Sequence, residues 1–196
     1  MSRLPTLPAD QLNARQKKLF DEITGGKRGV GRPIEAFLMP DGGMRGPFGA
    51  MLHHPEIGSV IQHLGGNLRF EGTLSGIHRE LAIITVGRDW QAQYEWWAHA
   101  NIGEKEGLDP AVIQAVYDKA PLPTEDASLI AVHGFVKELL ETRHVSDAAY
   151  AAAMDVVGQT GVIELVMLTG YYCLISATLN AFEVGMPEGI APPFDK

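Results

Sequence analysis

Residues 92–99 read AQYEWWAH, and they sit inside a longer run, RELAIITVGRDWQAQYEWWAHANIGEKEGL, that extends from Arg79 to Leu108. The stretch from Ser75 to Arg88 carries Leu81, Ile83, Ile84 and Val86. Its β-branched run alone would suit a strand, but its neighbours favour a helix. A second helix is expected from about Gln91 to Glu106, with Gly107 as its C-cap. On that helix Glu95 and His99 stand at i and i+4, so a carboxylate and an imidazole share one face in a setting made apolar by Trp96 and Trp97. A carboxylate neighbour orients the ring and favours imidazolium, while apolar surroundings oppose the charge. The pair is a candidate proton-transfer device.

The 196 residues, 45% hydrophobic and 20% charged, suit one globular domain or one domain with an extension. A formal net charge of −8, with no concentration of Lys and Arg, argues against nucleic acid and against an anionic membrane as partners. MSRLPTLPAD has no apolar secretory core, and the single cysteine, Cys173, excludes an intrachain disulfide framework. A cytoplasmic location is the expectation. Val162 to Leu179 is apolar enough to resemble a membrane span, but Glu164, Thr169, Ser176 and Thr178 interrupt it, so a buried core or interface helix is expected.

Outward from the central run, Pro8-Ala9-Asp10 leads into an amphipathic helix from about Gln11 to Ile23. From Gly25 to Gly49 the chain is dense in Gly and Pro, loop chemistry that holds Arg28, Arg32, Arg45 and Phe48. A surface loop or a tail wrapped on a neighbouring subunit competes here with a lid that supplies an arginine. Pro55 opens a helix to about Phe70, Asp109-Pro110 a short one to Lys119, Thr124-Glu125-Asp126 a long one to Arg143, and Ser146-Asp147 one to Val157. An apolar helix from Val162 to Val184 completes the set. The expected fold class is all-α, with residues 1–50 an N-terminal helix and Gly/Pro-rich extension and residues 51–196 a helical domain.

The run from Arg79 to Leu108 resembles the core motif of the carboxymuconolactone decarboxylase family, whose all-helical fold is shared with the alkyl hydroperoxidase D-type proteins. GPFGAMLHHPEI from Gly46 and GYYCLISATLNAFEVGMPEG from Gly170 resemble long-form members, so the likeness spans Leu4 to Pro193. The hydroperoxidase branch uses a Glu, a CxxC pair and a His. Glu80 and His99 keep two of those places, but Ala92 and Glu95 stand where the cysteines would be. Dithiol peroxide reduction needs two thiols, and Cys173 is one, in an apolar stretch. The resemblance therefore implies the decarboxylase-like branch, without metal or organic cofactor and built as a homo-oligomer.

In that branch the prototype substrate is a carboxylated unsaturated lactone that loses carbon dioxide through a dienolate. The resemblance implies that Glu80, Glu95 and His99 converge, with His99 as proton donor or oxyanion partner, Glu95 orienting it, and Glu80 as a second acid/base group or a structural ligand. Trp96, Trp97 and Phe48 would form an apolar wall, and Arg79, Arg88 or Arg45 would receive a substrate carboxylate. Glu95 to His99 is Glu-x-x-x-His, which is no metal signature, so no metal is expected. A related isomerase or hydratase, a thiol-independent peroxidase-like activity, and a non-catalytic ligand-binding or assembly protein on the same fold are the alternatives. His53 and His54, before Pro55, suit solvated or capping groups, and Tyr171 and Tyr172 suit packing.

Overall fold

The computed structural model describes residues 2–195, and its regular elements are helical apart from one antiparallel bridge, Leu38 with Met44. These residues form two compact units, residues 2–71 with 178–192 and residues 72–177 with 193–195. The sequence reading divided the chain at residue 50. The packing groups the helix Pro55–Phe70 with the helix Ala14–Gly25 instead, because Gly58 leaves room for Leu19 and for the Met51 carbonyl: a Cβ there would lie 2.8 Å from the Leu19 side chain and 2.6 Å from that oxygen.

In the first unit, α1 (Ala14–Gly25) starts on a reciprocal cap. Asn13 Oδ1 accepts from the Arg15 and Gln16 amides at 3.0 and 3.1 Å, and Gln16 Oε1 accepts from the Asn13 amide at 3.0 Å. The helix begins three residues later than the sequence suggests, because Ala9–Gln11 is a separate 3-10 turn. The Gly/Pro-rich segment is irregular yet anchored. It forms 3-10 turns at Lys27–Gly29 and Ile34–Phe37, buries Phe37 and Met44, and turns through Gly42 and Gly46 at positive φ before α2 (Pro47–Met51). His54 caps α3 (Pro55–Phe70) by accepting from the Ile57 amide.

The second unit is built around α4 (Gly76–Asp89), buried continuously from Glu80 to Gly87. The Ser75 hydroxyl caps it by accepting from the His78 amide at 3.3 Å. Leu81 and Ile84 of α4 meet Trp96 of α5 (Gln93–Lys105), Val112 and Val116 of α6 (Pro110–Asp118), Leu129 of α7 (Ala127–Thr142), and Phe194. Asp109 and Asp126 cap α6 and α7, as their sequence positions suggest. The buried carboxylate of Glu164, on α8 (Asp147–Ala181), accepts from the Thr73 amide at 2.6 Å, the Thr73 hydroxyl at 2.9 Å and the Leu74 amide at 3.3 Å, which fixes the approach to α4.

Two readings of the C-terminal helices change. The break between them is a single residue, Gly158 at φ 65°, ψ 179°, rather than a loop ending near Val162. The apolar segment is also not buried all round. Leu165, Leu168, Tyr172 and Ile175 face inward, while Ile163 and Met167 are 53% and 56% exposed and Val166 and Leu174 are also exposed. By length and composition α8 is sufficient to cross a membrane, but half of its most apolar window is buried within the chain.

Candidate active site

Helices α4 and α5 are joined by only Trp90, Gln91 and Ala92, so they return alongside one another. Two glycines allow their close approach. A Cβ on Gly87 would lie 3.4 Å from the Trp96 amide nitrogen, and one on Gly103 would lie 3.4 Å from the Glu80 side chain. Antiparallel pairing at that spacing puts residue 80 of α4 opposite residue 99 of α5, a juxtaposition that the i, i+4 pattern of α5 cannot supply by itself.

The result is a buried triad. His99 Nδ1 is 2.5 Å from Glu80 Oε2 and His99 Nε2 is 3.0 Å from Glu95 Oε1. Glu80 is fully buried, and Glu95 and His99 nearly so. Arg79 anchors the far side of Glu80, with Nε 3.1 Å from Glu80 Oε1, and reaches toward Glu106, with Nη2 3.6 Å from Oε1. The Tyr172 ring of α8 lies edge-to-face against the imidazole with centroids 5.1 Å apart, and Tyr171 packs in the same manner on Tyr172.

A neutral imidazole has one N–H, yet both ring nitrogens here face carboxylate oxygens. The triad must hold two protons, and an imidazolium donating to two carboxylates satisfies every contact. Burial by itself disfavours charge on His99, but the charges of Glu80 and Glu95 and the hydrogen bonds to both more than offset it, so its pKa is raised above the ordinary 6.5. With Arg79 and His99 cationic and Glu80 and Glu95 anionic, the buried group is neutral as a whole, the condition under which charges are tolerated in an interior. Its imidazole lies beside the Tyr172 ring, with a carboxylate at each ring nitrogen.

The other expected site residues are placed differently. Trp96 packs in the core with ring centroids 5.5 Å from Tyr117 and 5.6 Å from Phe194. Arg88 donates through Nε to the Tyr117 carbonyl and lies over the Tyr117 and Phe194 rings at 5.4 and 5.1 Å. Arg45 and Phe48 belong to the first unit, where Arg45 Nε donates to the Leu38 carbonyl at 2.5 Å and Arg28 lies 5.4 Å over the Phe48 ring. Of the three arginines, Arg79 is the one in contact with the triad. No three His, Cys, Asp or Glu side chains among the described residues are arranged to hold a metal ion. The thiol of Cys173 is half-buried, and burial raises its pKa.

No family model matches the chain, and no curated protein is similar to it in sequence. Solved structures are similar in fold. An uncharacterized peroxidase-related protein of Ralstonia eutropha JMP134, described as an alkylhydroperoxidase AhpD core, superposes with a TM-score of 0.74 over 95% of this chain and 93% of its own, at 15% identity. This chain has the AhpD-like fold. An uncharacterized peroxidase-related protein of Silicibacter sp. TM1040 superposes with a TM-score of 0.72 at 17% identity, over 96% of this chain and 92% of its own. On the AhpD-like fold of this chain the α4–α5 hairpin carries a Glu–His–Glu triad, and the sequence holds no second cysteine.

Sequence reasoning assigned Tyr172 to packing and did not single out His133. Tyr172 is 73 positions from His99, and no local spacing reports a contact between separate helices. His133 bonds Thr85 across 48 positions, and its only sequence signal is a histidine on the apolar helix α7.

Proposed function

We propose that the protein is a cofactor-free lyase of the carboxymuconolactone decarboxylase type, acting on a small carboxylated lactone or a related intermediate of aromatic breakdown by proton transfer from His99. The observation that carries this reading is the imidazole clamped between two carboxylates in a buried setting. Glu80, held by Arg79, is the fixed partner; Glu95 has His99 as its only side-chain partner among the described residues and is the movable one. When Glu95 turns aside, the Nε2–H faces the substrate. The carboxylate C–C bond breaks, carbon dioxide leaves, and the electron pair passes through the ring double bond to the lactone carbonyl as a dienolate. The Nε2 proton then goes to carbon, leaving neutral His99 to be recharged from solvent. Arg79, displaced from Glu106, is the cation for a substrate carboxylate. The proposed setting is cytoplasmic, in a homo-oligomer, with no nucleic acid or membrane partner.

A purely structural role for the triad, in a ligand-binding or assembly protein, is favoured by its near-complete burial and matched charge. The deciding experiment is carbon dioxide release from 4-carboxymuconolactone by purified protein and by His99→Asn, with circular dichroism on both. Turnover that survives a chelator and falls by two or more orders of magnitude in a folded His99→Asn variant supports the lyase. Absence of turnover in the wild type, with a large loss of thermal stability in the variant, supports the structural role.

A further inference from the structure

We propose that the cavity between α4, α6 and α7 is a binding site for a small hydroxylated oxyanion, the class that bicarbonate represents. The site is separate from the triad, and the inference does not depend on the lyase reading. The cavity measures ≈ 40 Å³, room for a few water molecules or a ligand of about four non-hydrogen atoms. Its polar wall has a fixed hydrogen-bond direction. The Thr85 hydroxyl donates to the Leu81 carbonyl at 2.7 Å, so toward His133 Nδ1, 3.0 Å away, it can only accept. This assigns the proton of His133 to Nδ1 and leaves Nε2 as a lone-pair acceptor, without a partner among the described residues. His133 stays neutral near physiological pH because burial, helped by the charge of Lys137 and opposed by Glu141, pushes its pKa down to about 4.

Charge sets the rest of the specificity. Arg88, Lys119 and Lys137 line the cavity against Asp89 and Glu141, a surplus of one positive charge that matches a monoanion. Lys137 is paired with Glu141 at 2.8 Å. Among the described residues the one hydrogen bond from Arg88 is through Nε, its guanidinium otherwise lying over the Tyr117 and Phe194 rings, which leaves both Nη groups as donors, and Lys119, held at φ 55° as the C-cap of α6, makes no side-chain bond. A ligand that offers oxyanion oxygens to Arg88 and Lys119 and an O–H to His133 Nε2 satisfies all three. A simple anion without an O–H leaves Nε2 facing a lone pair.

The test is NMR of protein labelled with ¹⁵N-histidine, titrated at mildly alkaline pH and constant ionic strength with bicarbonate and with nitrate, a planar monoanion of the same size and charge that has no proton. Bicarbonate is expected to move the His133 Nε2 resonance saturably, with nitrate weaker by about tenfold or more. Lys119→Gly, which relieves the left-handed backbone and so retains the fold, is expected to weaken bicarbonate by about tenfold. Equal response to the two anions, no saturable response at tens of millimolar, or undiminished affinity in Lys119→Gly overturns the proposal.

Discussion

The two carboxylates on His99 differ in their anchoring, since Arg79 holds Glu80, and the pH dependence of the proposed turnover tests what each contributes. Both raise the imidazole pKa above the ordinary 6.5, and activity that draws on the imidazolium proton is expected to fall as pH rises through that elevated value. Glu95→Gln removes one of the raising charges while keeping the shape. The falling limb of kcat against pH is expected to move to lower pH, with the variant still folded. Stability follows the same sign. A raised folded pKa stabilises the protein fully below the unfolded value near 6.5, and this contribution is lost as pH climbs through the folded value, so thermal melts of the wild type should decline as pH rises from 6.5 through the folded value and those of His99→Asn should not share this step. A limb that stays in place in Glu95→Gln would remove Glu95 from the proton's environment. Two of the three triad members were legible beforehand, because Glu95 and His99 are one helical turn apart. Glu80 is nineteen positions from His99 and came only through the resemblance, and its anchoring by the adjacent Arg79 needed the structure.

At the scale of the element, what the sequence reveals best is where helices begin. Ser75, Asp109 and Asp126 are each a short polar side chain before an apolar run, and each accepts from the first turn of its helix. What it reveals poorly is where a helix is interrupted without a loop. Gly158 sits among Val157, Gln159, Thr160 and Gly161, a stretch that suggests a connection of several residues, whereas one glycine in a conformation closed to other residues suffices. The contrast with Gly134, in the interior of α7 with helical backbone, is measurable because a Cβ on either glycine meets nothing within 4 Å. Gly158→Ala therefore isolates backbone strain and is expected to cost about 1–3 kcal/mol, lowering the melting temperature by several degrees. Gly134→Ala is expected to gain about 0.5–1 kcal/mol from helix propensity. Equal melting temperatures for the two variants would mean that the kink is not fixed by residue 158.

Beyond the single chain, the question is what covers the outer face of α8. Ile163, Val166, Met167 and Leu174, with Gly170 between them, recur at i, i+3, i+4, i+7 and i+11, so they form one stripe on one side of the helix, opposite the side that carries Tyr172. Composition suggested a helix buried in a core or at an interface, and the structure places one side of it in the core. An apolar residue is hidden equally well by its own core or by another copy, and the sequence does not say which. A contiguous exposed apolar stripe is costly in a lone protomer, and among such faces self-association is the common remedy. The expected state in solution is therefore a homo-oligomer whose interface includes this stripe. Val166→Asp with Met167→Asp would place charges at its centre, and light scattering after size exclusion should show the assembly falling to a smaller species with the circular dichroism of the wild type. Because Tyr172 on the inner side of the same helix touches His99, the smaller species should also show whether the triad needs the assembly to hold its geometry. Unchanged turnover in a folded smaller species would place the site within one protomer, and a wild type that is already monomeric would leave the stripe with no self-association role.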